Sequence, residues 1–143
     1  AHFKQFSDLR QAIEIDFWDT AVRGLTPEDK TYLQLLVERA WGKLKGSPIH
    51  VPNEEHRQLH LAIFCRLENP FVQGMLAAYW DAYEASELTR FAPYDYWLKV
   101  WEYHEKIVDA LVAGDFAEGF ALLKVHFGLL PEQPSGANGS GPG

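Results

Sequence analysis

The sequence predicts an all-α fold, an antiparallel bundle of six to seven helices followed by a disordered tail. Three observations predict it. Apolar residues recur at spacings of three and four along most of the chain, the mark of one buried helix face. No segment alternates with period two in the way a half-buried strand does. Helix caps and stops punctuate the chain at short intervals, so successive helices must fold back on one another.

In chain order, Ser7 is the expected N-cap of the first helix and Gly24 its stop, with Leu9, Ile13, Phe17 and Ala21 as the inward stripe. Thr26 caps the second helix, with Pro27 in its first turn and Leu33, Leu36, Val37 and Ala40 facing the core. That helix ends at Gly46, and Ser47-Pro48-Ile49-His50-Val51-Pro52 continues as a loop. Asn53 is the expected cap of a third helix reaching about Leu67, and Asn69-Pro70 caps a fourth running to about Arg90, where Pro93 breaks it. Asp95 opens a fifth helix that stops at Gly114. Asp115 with Glu118 reads as an acidic capping box for a sixth, which Pro131 ends. Residues 131–143 are rich in Gly, Pro, Ser and Asn and predict a disordered tail after one domain over residues 1–130.

Composition narrows the function. The 143 residues are 47% hydrophobic, enough for one packed core but with no run near the roughly 18 apolar residues that span a bilayer. No export leader is evident, so a cytoplasmic location is expected, and no membrane partner. The net charge of -7, with Lys and Arg scattered, excludes a phosphate-gripping surface on this chain. The single cysteine, Cys65, forms no internal disulfide and is expected to be a small buried hydrophobe.

Four of the six histidines lie on apolar stripes. His56 and His60 share one face of the third helix, which Ile63 and Leu67 continue. His104 falls on the stripe of Trp97, Trp101, Val108 and Leu111, and His126 on that of Phe116, Phe120, Leu123, Phe127 and Leu130. Three helices thus aim imidazoles inward, and each buried ring nitrogen needs a partner or costs about 1–3 kcal/mol. One metal ion bound by His56, His60, His104 and His126 would satisfy them together; separate hydrogen bonds in the core are the alternative. All-imidazole ligation suits Zn, Ni, Cu or Fe better than Mg or Ca, so a divalent transition metal is expected, with Zn or Ni foremost. His2 and His50 read as solvated. Arg10 lies at the edge of the first stripe, where it either reaches inward to an anionic ligand or stays exposed and pairs with Glu14 one turn on. Tyr79, Trp80 and Tyr83 read as core packing, with a pocket wall or a dimer face as the alternative.

Enzyme signatures fail. His104-Glu105-Lys106-Ile107-Val108 opens like a zinc-protease helix, but Val108 stands where the second histidine is required, and Glu105 is one step off the histidine stripe. No nucleophile elbow, phosphate-binding glycine loop, haem-attachment motif or recurring Glu-x-x-His pair is present. A metal-dependent hydrolase and a metal-free helical scaffold are the rival readings.

The order of these residues resembles the FCD ligand-binding domain of the FadR subfamily of GntR-family transcription regulators. The register runs from His56-Arg57-Gln58-Leu59-His60 to Asn69-Pro70, then from His104-Glu105 into Gly114-Asp115, and on to His126, with Asp8-Leu9-Arg10 and Glu14 opening the first helix. The family usually has Asp where this chain has His56, which removes a negative charge from the metal's surroundings; either His56 ligates in its place and the site is more cationic, or the site has three histidines. The resemblance implies a non-enzymatic sensor, often a homodimer, that binds a small organic acid near the metal, with Arg10 as an effector contact. It implies DNA binding only through a separate winged-helix domain, which this chain is expected to lack.

Overall fold

The computed structural model describes residues 2–86 and 92–129, and every described element is helical. They are α1 (His2–Arg23), α2 (Pro27–Leu44), α3 (Asn53–Ile63), α4 (Pro70–Ser86), α5 (Tyr94–Val112) and α6 (Phe116–His126). In the bundle α5 packs on α2 and α6, α3 bridges α2 and α4, and α1 lies against α4 and α6. The expected tail over 131–143, the helix terminator Pro131, Leu130 and the α4 end near Arg90 lie outside the described residues, as does the side chain of His2.

Local chemistry explains most boundaries. Thr26 caps α2 as expected, and Asp29 completes a reciprocal box: Asp29 N–H donates to Thr26 Oγ1 at 3.1 Å and Thr26 N–H to the Asp29 carboxylate at 2.9 Å. Asn69 Oδ1 accepts from the N–H groups of Phe71 and Val72 at the start of α4. Asp115 caps α6 by accepting from Glu118 N–H, and Gly114 turns the chain ahead of it at φ 77. Gly119 lets α6 approach closely, because an added Cβ would meet Leu111 at 3.4 Å and Trp18 at 3.5 Å.

Five local expectations are corrected. Ser7 is not a cap: α1 starts five residues earlier, at His2, and Ser7 is buried within it. Phe3 and Phe6 extend the helix backwards by packing on Tyr79, with ring centroids 5.4 and 5.5 Å away. Leu9 is 44% exposed, because the inward face of α1 carries Arg10, Glu14 and Trp18 instead. Asn53 is the first helical residue after Pro52, not a side-chain cap. The third helix ends at Ile63 rather than Leu67, because Gln73 of α4 reaches over and donates to the carbonyls of Leu67, Cys65 and Phe64. That turn leaves Cys65 exposed, contrary to the expected buried hydrophobe.

The main core gathers Trp18, Leu33, Leu44, Leu59, Trp101 and Leu111 among others. A second cluster of Tyr79, Trp80 and Tyr83, backed by Phe3 and Phe6, lies beside it. The histidines stand where the two meet.

Candidate metal centre

Each histidine is delivered by the stripe on which the sequence placed it. Residues 56 and 60 sit one turn apart on α3, His104 follows Trp97 and Trp101 on α5, and His126 closes α6. All four are buried, at 5%, 1%, 1% and 5% exposure in chain order. Each offers one ring nitrogen to a set whose members all lie within 4.8 Å of one another. Ring centroids are 4.5 Å apart for His104 and His126 and 4.9 Å for His56 and His104.

Two of the rings are oriented from behind. The Val100 carbonyl can only accept, so His104 Nδ1, 2.7 Å away, carries a proton and leaves Nε2 facing inward. The Glu14 carboxylate, also an acceptor, lies 3.0 Å from His60 Nδ1 and orients that ring the same way. The two Nε2 atoms then meet at 3.1 Å. Two imidazole nitrogens at that distance repel unless a proton or a cation lies between them. His56 has no hydrogen-bond partner among the described residues for either ring nitrogen. His126 Nδ1 lacks one of good geometry, although the Leu123 carbonyl acts on it electrostatically.

Burial first, and then the positive potential of the neighbouring rings and Arg10, holds His56 and His126 well below the usual histidine range. His104 is lowered by burial and His60, against the opposing pull of Val100. Neutral rings with inward lone pairs are the protonation state that ligates a metal. The donor set, the unpartnered nitrogens of His56 and the close Nε2 pair therefore fit a transition-metal ion, with all four histidines able to hold it.

Arg10 is both inward and paired, combining the two expected alternatives. It is 1% exposed, donates to Glu14 at 3.2 Å and to the Tyr79 hydroxyl at 3.2 Å, and stacks within 4.6 Å of Tyr79 and 5.0 Å of Phe127. Burial pushes the Glu14 carboxyl up, but His60 and Arg10 outweigh it and keep the group below its usual value, so it is ionised. Tyr79, Trp80 and Tyr83 are buried, as expected for packing residues, and also wall the centre: Trp80 lies 4.7 Å from His56 and 4.9 Å from His60. The loop histidine, His50, is exposed, and so is Glu105 on α5.

Sequence reasoning noted the spacing of Arg10 and Glu14 but missed the bond from Glu14 to His60. It also missed the Tyr79 contact, for which only the aromatic content of α4 gave a signal.

The FCD domain family matches residues 5–129, nearly all of the described chain. The chain belongs to the FCD domain family. This agrees with the FCD part of the resemblance read from the residue order, and FCD domains are regulatory ligand-binding domains. The FCD match spans α1 to α6, so all four histidines and Arg10 fall inside it. No curated protein and no solved structure matches the chain. No helix among the described residues is long and apolar enough to cross a membrane.

Proposed function

We propose that this FCD domain is the metal-containing sensor half of a FadR-type GntR regulator that binds a small carboxylate metabolite and is not an enzyme. The observation that carries the reading is the convergence of four buried imidazoles within 4.8 Å, with His56 left unpartnered. His56, His60, His104 and His126 hold a divalent transition metal, Zn or Ni. Four protein ligands leave up to two coordination positions for water or an effector oxygen. Four neutral imidazoles also leave the ion's charge undiminished by direct ligands, which favours an anion. Arg10 supplies the guanidinium fork that matches a carboxylate, and Glu14 connects it to His60. In this reading the domain works in the cytoplasm as a homodimer, away from membranes. The effector biases the arrangement of the dimer, and a separate winged-helix domain contacts DNA.

Elemental analysis of purified protein tests the metal. His60→Ala and His104→Ala should each lower bound metal several-fold, and unchanged metal in both variants would sink the reading. A thermal-shift panel of small organic acids on metal-loaded protein tests the effector class. Acids should raise the melting temperature, and Arg10→Met should abolish that response while metal content persists.

A further inference from the structure

Glu14 is fully buried on α1, a helix that contributes no histidine to the cluster. A carboxylate in such a place needs compensation from every side. Its two oxygens divide the work: Oε2 accepts from Arg10 Nη1 at 3.2 Å, and Oε1 faces His60 Nδ1 at 3.0 Å. Resting on the metal reading above, we propose that Glu14 is the positioning residue of the metal centre. It fixes the His60 ring with Nδ1–H on the carboxylate and the Nε2 lone pair toward the ion.

The chemistry favours this role over plain ion pairing with Arg10. An imidazole can present either nitrogen, and the wrong tautomer offers a metal an N–H instead of a lone pair. An acceptor behind Nδ1 removes that ambiguity, and an ionised one also raises the basicity of the ligating nitrogen. On α5 the Val100 carbonyl does the same for His104 at 2.7 Å, as a neutral acceptor. His56 has no such support, so the centre combines two preset rings with others that the ion itself must order. Because Glu14 also holds Arg10, it ties the metal ligand of α3 to the cation of α1.

Zn2+ titration of the full chain tests the proposal, alongside histidine 15N spectra of the metal-loaded protein. Glu14→Ala removes both charge and acceptor, and should weaken Zn2+ binding about 10–100-fold. Glu14→Gln keeps an acceptor of the same size, stays folded if Glu14→Ala does not, and should fall between Glu14→Ala and wild type. In wild type the spectra should show His60 protonated at Nδ1 and ligated through Nε2, and in Glu14→Ala that signature should be lost. Thr26→Ala, which loosens the α2 cap and touches no histidine, should lower the melting temperature without changing Zn2+ affinity. If both Glu14 variants bind Zn2+ as tightly as wild type with unchanged His60 shifts, the proposal is overturned. If wild type takes up no Zn2+, the metal reading itself fails and the positioning role falls with it.

Discussion

At the scale of single residues, the centre is a problem of buried nitrogen. Each unpartnered ring nitrogen in the core costs about 1–3 kcal/mol, and His56 alone has two, one of which an ion would engage. That cost persists only where something offsets it, which is the physical argument for an ion. It also sets a pH dependence in metal-free protein. His56, His104 and His126 are held below the ordinary value of 6.5, so the folded chain resists protons that the unfolded chain accepts. Stability is then full above the ordinary value and declines as pH falls below it toward the depressed values. Melting temperatures of chelated protein should be level from about pH 8 to about pH 6.5 and fall from there to about pH 5. A flat profile would mean that the rings are not held neutral. The inward stripes on which these histidines sit were legible in the sequence. Burial of the Arg10–Glu14 pair was not, because at i, i+4 spacing such a pair is most often a solvated surface contact.

At the scale of elements, the helices were legible where their ends are made locally. The Thr26 cap, the Asn69-Pro70 start and the Gly114-Asp115 turn each lie within a few residues of the groups they satisfy. Ends made at long range were not legible. Gln73 terminates α3 from another helix, and Tyr79 lengthens α1 by covering Phe3 and Phe6. The α2 cap carries its own prediction. Thr26→Ala should cost about 1 kcal/mol, a drop of roughly 3–5 °C in melting temperature for a domain of this size. Arg66 first, and then the α2 cap, hold the Asp29 carboxyl down at about 2. Because that value is depressed, the Asp29 contribution is present above the ordinary 3.8 and is lost as pH falls toward about 2. Asp29→Asn should therefore lower the melting temperature at neutral pH and have less effect in strong acid.

At the scale of the whole molecule, an ion held by α3, α5 and α6 would act as a cross-link between layers of the bundle. Removing it with a chelator should lower the melting temperature, and resupplying it should restore the loss. At free metal about 100-fold above Kd the gain is about 2.7 kcal/mol. Equal melting curves with and without metal would show that the ion carries no share of the fold. The sequence by itself determined the helical class, the six segments and the placement of four histidines on inward faces. Those features follow from hydrophobic periodicity, which each helix carries within its own residues. Only tertiary structure decided that the four rings meet, that Arg10 and Glu14 lie beneath them, and that Cys65 faces solvent. Those outcomes depend on how helices dock, and a buried polar group finds its partner on a neighbouring helix that no local pattern names.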